Sequence, residues 1–240
     1  MRADGRKRDE IRNISIEVDY VKHAHGSCLF STGDTKVICT ASVDDGVPPF
    51  LKGKGTGWIT SEYSMLPMSC QTRVPRESSK GKKTGRTHEV QRLIGRALRS
   101  IVDMSALGER TVWLDCDVIQ ADGGTRCASI SGSFIALYLA MERLSDAGKI
   151  NRIPVKDQIA AVSVGILDGE AYLDLTYDED SRADVDTNIV MTGNGRFVEV
   201  QCTAEREPFT AAQFGDILGF AEKGIKKVFK EQKKALRGSF

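Results

Sequence analysis

The sequence predicts an α+β fold, a single domain of mixed, hairpin-rich sheets packed against helices. Two observations lead to this prediction. Apolar, strand-like runs meet at short turns, Gly33-Asp34, Asp168-Gly169 and Gly193-Asn194-Gly195, whose residues accept the positive φ of tight hairpins. Three longer segments carry apolar residues at helical spacing. Because hairpins join antiparallel strands, the pattern argues against a doubly wound parallel sheet.

Nine segments have the residue composition of strands. The hairpin turns predict that the second pairs with the third, the sixth with the seventh, and the eighth with the ninth. The nine segments are residues 15–20, 26–31, 35–43, 57–64, 111–119, 159–167, 170–177, 187–192 and 196–202.

Three helices are predicted from apolar spacing and from the residues that start them. The first begins near Thr87, and its other face carries several arginines. The second follows Gly123-Gly124-Thr125, and the third follows Pro208. In the third helix, Thr210 and Gln213 have the spacing of a capping box.

The single domain, residues 1–240, divides into two pseudo-similar halves, approximately 1–145 and 158–240, with a polar connection near 145–157. Each half contains an apolar run, a Thr-Gly turn and a second run that ends in Cys-Thr-Ala. A duplication and two independent hairpins explain this similarity equally well.

Composition predicts a cytoplasmic protein. The 240 residues are 40% hydrophobic and 28% charged, which is enough for a sizeable core. No apolar run approaches the roughly 20 residues of a membrane span, and the N-terminal residues lack the apolar region of a secretory signal. The six cysteines include no Cys-x-x-Cys pair, which favours buried, reduced thiols over a disulfide framework or a zinc site.

Charge is distributed unevenly, although the formal net charge is only +1. Residues 73–86 carry six basic side chains against one acid, Glu77, and residues 174–186 carry six acidic side chains against one base, Arg182. The basic stretch suits a nucleic-acid backbone, since each neutralised phosphate releases counterions. A solvated surface loop is the alternative.

A phosphate site is predicted at residues 123–126, where an apolar strand ends in Gly-Gly-Thr-Arg and a helix begins. Glycines let the backbone approach an anion, and the free N–H groups of a helix N-terminus stabilise it. Thr125 adds a hydroxyl and Arg126 a planar guanidinium. Gly85-Arg86 opens another helix with an arginine. The alternative is an ordinary turn in which Thr125 is only an N-cap.

Asp180 and Asp186 are candidates for a divalent cation, because hard cations prefer carboxylate oxygens. In one straight strand the two residues would lie roughly 20 Å apart. The segment must therefore bend, for example at residues 181–183, or only one carboxylate binds directly. A general-acid role for Asp180 and a solubilising acidic loop are alternatives.

Seven stretches, in order and spread from end to end, resemble the bacterial RNase PH family. The most specific are GRTHEVQRLIGRALR at 85–99, LDCDVIQADGGTR at 114–126 and DLTYDEDSRADVDTNIVMTG at 174–193. The others are RADGR at 2–6, TGDTKVICTASV at 32–43, WITSEYSMLP at 58–67 and FVEVQ at 197–201. Three positions depart from the family: Met68 stands where an arginine is common, Cys202 where a glycine is usual, and Arg206 near a position that is often acidic.

The resemblance implies an α+β fold with a left-handed βαβ element and a homohexamer built as a trimer of dimers. It implies a phosphate-dependent 3′→5′ exoribonuclease that trims the 3′ ends of precursor tRNA and releases nucleoside 5′-diphosphates. Such an enzyme is a reversible nucleotidyltransferase of tRNA and rRNA processing. The implied cofactor is Mg²⁺ or Mn²⁺, with inorganic phosphate as co-substrate.

Matched onto this chain, the functional residues of the family fall on eight positions. The phosphate-binding residues are Arg86, Gly124, Thr125 and Arg126; the RNA-binding residues are Arg73 and Arg76; the catalytic and metal-binding residues are Asp180 and Asp186.

Three other functions stay open at this point. A non-catalytic, RNA-binding ring subunit would fit the fold, but such a subunit would not need the paired aspartates and arginines. A metal-dependent hydrolytic nuclease would fit the acidic residues and leave the two arginines without a task. A phosphate-binding enzyme acting on small molecules would leave the basic residues 73–83 unexplained.

Overall fold

The computed structural model describes residues 2–238, without the side chain of Lys80. These residues form nine strands, six α-helices and one short 3-10 helix, Pro49–Leu51. The strands are β1 (Ile14–Val18), β2 (Gly26–Thr32), β3 (Thr35–Asp45), β4 (Trp58–Met65), β5 (Arg110–Gln120), β6 (Ile159–Leu167), β7 (Glu170–Leu173), β8 (Val185–Thr192) and β9 (Phe197–Ala204). The helices are α1 (Glu77–Lys80), α2 (Gly85–Ser100), α3 (Met104–Leu107), α4 (Thr125–Asp146), α5 (Tyr177–Asp180) and α6 (Ala211–Ala235).

The strands form two sheets, and the α+β prediction is confirmed. The first sheet has the order β1-β2-β3-β5-β4, and the second has the order β7-β6-β8-β9. All three predicted hairpins are present as antiparallel pairs. Strands β4 and β5 run parallel, with α2 between them in the chain. The left-handedness of this connection stays a prediction, as does the duplication of the two halves.

Helix α4 lies between the two sheets and is buried along nearly its whole length. On one side its backbone comes so close to β2 that a Cβ atom on Gly26 would lie 2.6 Å from the Ala140 nitrogen. On the other side, the Ser131 hydroxyl accepts a hydrogen bond of 3.1 Å from the Ala161 N–H of β6. The buried Gln232 of α6 donates to the carbonyls of Ser131 and Ile159, at 3.1 and 3.0 Å. These contacts fix α4 against both sheets.

The structure differs from the sequence prediction at residues 170–177. Only β7 is a strand there, and a four-residue helix, α5, follows. Two local features stop the strand: Asp174 has a positive φ of 53°, and Thr176 and Glu179 form a reciprocal capping box that starts the helix. The predicted bend between Asp180 and Asp186 is confirmed, since the chain turns after α5 before β8 begins.

The six cysteines all carry free thiols. Three of them, Cys28, Cys39 and Cys116, are buried and directly opposite one another on the adjacent strands β2, β3 and β5. They pack as small apolar groups in the core of the first sheet. Within residues 2–238, no helix combines the length and the apolar composition needed to cross a bilayer.

We expect Gly26→Ala to lower the free energy of unfolding by about 3 kcal/mol, because the added methyl group meets the backbone of α4 and neither element can move without repacking the core. Chemical denaturation measures the change. The matched control is Gly219→Ala on the exposed face of α6, where nothing lies within 4 Å of the added Cβ. This control should stabilise by about 1 kcal/mol through helix propensity. Equal stabilities for the two variants would contradict the close approach at Gly26.

Candidate anion and carboxylate site

The turn that starts α4 needs its two glycines. Gly123 and Gly124 have φ of 73° and 67°, a region that other residues rarely adopt. A Cβ on Gly123 would also lie 2.9 Å from the Thr176 carbonyl carbon. Gly124 is the N-cap of α4, and no side chain caps this N-terminus. The first N–H groups of a long, buried helix are therefore free to bind an anion.

Two side chains extend this N-terminus. Thr125 is buried, and its hydroxyl accepts a hydrogen bond of 3.0 Å from the Tyr63 hydroxyl. The guanidinium of Arg126 lies 3.5 Å from the Asp186 carboxylate and 3.6 Å from that of Glu89. Its Nε atom is buried and has no hydrogen-bond partner among the described residues. Burying an unpaired donor is costly, so the unpaired Nε atom indicates that Arg126 binds a ligand.

Arg86 brings a second guanidinium to the same place. It lies in the first turn of α2, whose N-terminus is already capped: Thr84 accepts from the Thr87 N–H at 3.2 Å. The Glu77 carboxylate also accepts from the Thr84 N–H at 3.2 Å and from the Thr87 hydroxyl at 2.7 Å. The side chain of Arg86, rather than the end of α2, is thus what this helix offers to an anion.

Asp180 and Asp186 face both arginines. Asp180 ends α5 and Asp186 lies in β8, and the turn between them brings their charges together. Burial, and the negative charge of Asp186, raise the pKa of Asp180. Burial also raises the pKa of Asp186, against the positive charges of Arg126 and Arg86. Two carboxylates and two guanidinium groups therefore share one electrostatic environment.

Two cavities meet at Arg86. The anion cavity, of about 670 Å³, is lined by Arg86, Gly124, Thr125, Tyr177, Asp180 and nearby residues. The basic cavity, of about 620 Å³, is lined by Arg76, Lys82, Lys83, Arg86 and nearby residues. Met65, Val74 and Arg86 line both. The site is therefore continuous with a basic surface.

Of the two predicted RNA-binding residues, Arg76 lines the basic cavity, and Arg73 lies in the chain between Thr72 and Val74, which line the anion cavity. Arg73 and Arg76 are exposed, and in the described part of the chain neither forms an ion pair. Lys83 differs, since it lies 2.6 Å from the Glu62 carboxylate. The side chain of Lys80 lies outside the described residues. Arg73 and Arg76 thus present unneutralised charge to solvent.

Sequence reasoning missed several residues that support the site. Tyr63 donates a hydrogen bond to Thr125, and Glu89 lies beside Arg126. The buried Arg2 and Arg12 bind the segment that leads to Asp180. Only Glu179 had a usable local signal, because Thr176-x-x-Glu179 has the spacing of a capping box. The other contacts join residues far apart in the chain.

Comparison with known proteins gives consistent results. Residues 10–141 match the 3′ exoribonuclease family, domain 1, and residues 157–224 match domain 2 of the same family. Ribonuclease PH of Bacillus cereus (strain G9842) is 58% identical over 237 residues, 98% of this chain and 97% of that protein. The family resemblance predicted from the sequence is thereby confirmed.

Two solved structures share the fold. One is an exosome of Archaeoglobus fulgidus with RNA bound to the active site, with 25% identity and a TM-score of 0.80 over 97% of this chain and 92% of that one. The other is rice (Oryza sativa) Rrp46, with 19% identity and a TM-score of 0.80 over 98% of this chain and 100% of that one. The second shows similarity of fold alone.

Proposed function

Because this chain belongs to the 3′ exoribonuclease family and is a phosphate-dependent 3′→5′ exoribonuclease, we propose that inorganic phosphate binds between Arg86 and Arg126 at the N-terminus of α4. The observation that carries this proposal is the unpaired, buried Nε of Arg126 beside an uncapped helix end. Phosphate supplies the acceptors that both groups lack. Gly124 allows the close approach, and Thr125 adds a hydroxyl donor.

Phosphate bound there acts as the nucleophile. Arg86 and Arg126 hold it in the anion cavity with the last phosphodiester of the RNA beside it, so that a dilute anion becomes a positioned one. Attack forms a new P–O–P bond and breaks the bond to the upstream 3′-oxygen, which releases a nucleoside 5′-diphosphate. One bond of similar type replaces another, so the nucleotidyl transfer runs in either direction according to concentrations.

The two aspartates fit a divalent cation. Mg²⁺ binds proteins through one or two carboxylates and keeps water and phosphate oxygens as its other ligands. Asp180 and Asp186 supply that number of carboxylates, and burial raises the pKa of both, which a bound cation would offset by stabilising their charged forms. Mg²⁺ or Mn²⁺ held by these residues would offset charge on the scissile phosphoryl group.

Asp180 has a second role in this proposal. The attacking phosphate gives up one proton and the leaving 3′-oxygen takes one, so a single carboxyl can carry the transfer. A raised pKa keeps the carboxyl ready to hold a proton between the two oxygens. Asp186 lies 3.5 Å from the Arg126 guanidinium, whose positive charge opposes the rise in the pKa of Asp186 that burial causes.

The basic cavity is the path of the RNA. Arg73, Arg76 and Lys82 present positive charge on the side from which a single strand would reach Arg86. Contacts of this kind act on the sugar–phosphate backbone and are independent of sequence. The precursor tRNA 3′ end, a single strand beside a folded body, is the substrate that we assign, within tRNA and rRNA processing.

We further propose a cytoplasmic homohexamer, built as a trimer of dimers. Strand β9 is at the edge of its sheet and exposes Phe197 and Val200, an arrangement that proteins usually cover. One structural relative is an exosome assembly. The free thiols of all six cysteines suit a reducing compartment.

We expect RNA to be shortened only when phosphate is present, with nucleoside 5′-diphosphates as the products. Chromatography of the products with and without phosphate makes the test, and excess diphosphate should reverse the reaction. Release of nucleoside monophosphates in phosphate-free buffer would instead indicate a metal-dependent hydrolytic nuclease. A chain that binds RNA and yields no product under either condition would be a non-catalytic ring subunit.

We expect Arg126→Ala to lower kcat/KM for phosphate by about 100-fold, the usual loss when one donor to a reacting anion is removed. Initial rates over a range of phosphate concentrations measure the effect. Arg92→Ala is the matched control, since this arginine is also helical but is exposed and lies about two turns beyond the start of α2. Similar losses in the two variants would show that general positive charge, rather than an anion site at the N-terminus of α4, accounts for the effect of Arg126 on kcat/KM.

We expect the double variant Arg73→Ala/Arg76→Ala to bind RNA more weakly and with less dependence on salt. Loss of two phosphate contacts to a single strand reduces the slope of log affinity against log salt by about 1.4. Filter binding at several salt concentrations measures the slope, and phosphate binding should be unchanged. An unaltered slope would remove both arginines from the RNA path.

A further inference from the structure

The first twelve residues carry two arginines that are buried although neither lies in a helix or strand. Arg2 is 6% exposed and Arg12 is 7% exposed. Burying a guanidinium and its partner costs several kcal/mol of desolvation before any contact is formed. Neither residue lines the anion cavity described above. Both are, however, bonded to the segments that form it.

Arg2 binds the helix that ends in Asp180. Its guanidinium donates to both oxygens of the Glu179 carboxylate, at 2.8 and 2.6 Å, and to the carbonyls of Leu173 and Asp174, at 2.7 and 2.8 Å. The same carboxylate accepts from the Thr176 N–H at 3.0 Å and so completes the capping box of α5. A helix of four residues is not stable alone. The orientation of α5, and of the adjacent Asp180, therefore depends on this anchor.

Arg12 binds the turn that starts α4. It donates to both oxygens of Asp174, at 2.9 and 2.7 Å, and also to the backbone carbonyl of Asp122. Its guanidinium lies 3.3 Å from the Asp122 carboxylate. That carboxylate in turn accepts from the Tyr177 N–H at 2.9 Å. Asp122 thus connects the turn before Gly123 to the first residue of α5.

These ion pairs contribute orientation more than stability. A buried ion pair usually adds little net stability compared with apolar side chains of similar size, because attraction only offsets desolvation. A bidentate guanidinium–carboxylate pair does fix the direction of both groups. Burial alone would raise the pKa of Asp174, but the Arg12 guanidinium outweighs it and holds that pKa below its ordinary value. The pair is therefore charged and rigid.

We propose that Arg2 and Arg12, here termed the N-terminal clamp, are positioning residues. They fix Asp180 and the N-terminus of α4 relative to each other. Arg2 orients Asp180 through Glu179, and Arg12 orients the N-terminus of α4 through Asp122 and Asp174. The clamp rests on the proposed function, since it assigns phosphate to that N-terminus and a cation to Asp180. It touches neither ligand.

Binding measurements made without RNA test the roles of Arg2 and Arg12 separately. The double variant Arg2→Gln/Glu179→Gln removes both charges and leaves an amide that can still complete the capping box. We expect its affinity for Mn²⁺, measured by electron paramagnetic resonance, to fall about tenfold, as for other groups that orient a metal ligand. Its affinity for phosphate, measured by calorimetry, should change by less than about threefold.

Arg12→Lys should give the opposite pattern. A lysine has no planar fork to bind Asp174 and the Asp122 carbonyl together. Phosphate affinity should fall about tenfold, with Mn²⁺ affinity changed by less than about threefold. In the double variant and in Arg12→Lys, kcat should fall and the KM for RNA should stay unchanged. The matched control is Arg8→Gln, in the same segment, which loses only an exposed ion pair with Glu170 and should behave as wild type.

Two results would overturn the clamp. In one, the double variant and Arg12→Lys bind both ligands as wild type does. In the other, both affinities fall together in each variant, in step with the thermal unfolding midpoint, which would make the arginines structural fasteners only. A wild-type enzyme that forms no nucleoside diphosphate would overturn the proposed function instead, and the binding measurements would still decide the role of the clamp.

Discussion

The burial of α4 between two sheets is the constraint on which the rest of the structure depends. Its backbone contacts β2 at Gly26 on one side; on the other, the Ser131 hydroxyl accepts from β6 and the Ser131 carbonyl accepts from Gln232 of α6. A helix held on both sides has one rigidly placed N-terminus. Since the strand before it and the acidic segment beside it both end there, the free N–H groups, Arg126 and Asp180 meet at one point. The site follows from the packing.

At the N-terminus of α4, the charges of the protein alone only partly compensate one another. Behind the site, the carboxylates of Asp174 and Glu179 are fully matched by arginines at bonding distance. In front, Arg126 lies 3.5 Å from Asp186, a looser pair, and its Nε is unpaired. The matched charges give a rigid support, while the unmatched ones provide binding energy for ligands of either sign.

Much of this could be predicted from the sequence. The hairpins, the long helices and the Gly-Gly-Thr-Arg turn depend on neighbouring residues, and all appear where local patterns placed them. Helix α5 could not be predicted in that way, because its four residues are stabilised by a capping box and by an arginine 177 positions away. The placement of Arg86 beside Gly124 and Thr125 also depends on how α2 and α4 pack, which no local pattern contains.

The place of Arg86 between the two cavities bears on how the enzyme moves along its substrate. Arg86 lines both the anion cavity and the basic cavity, which is the proposed path of the incoming strand. With RNA bound along that path, the shortened strand would still lie opposite Arg86 when the terminal nucleotide departs and would be able to slide forward without dissociating. On this proposed path translocation would need no separate motor or hinge, and several cuts would follow a single encounter until a folded stem reached the rim of the basic cavity.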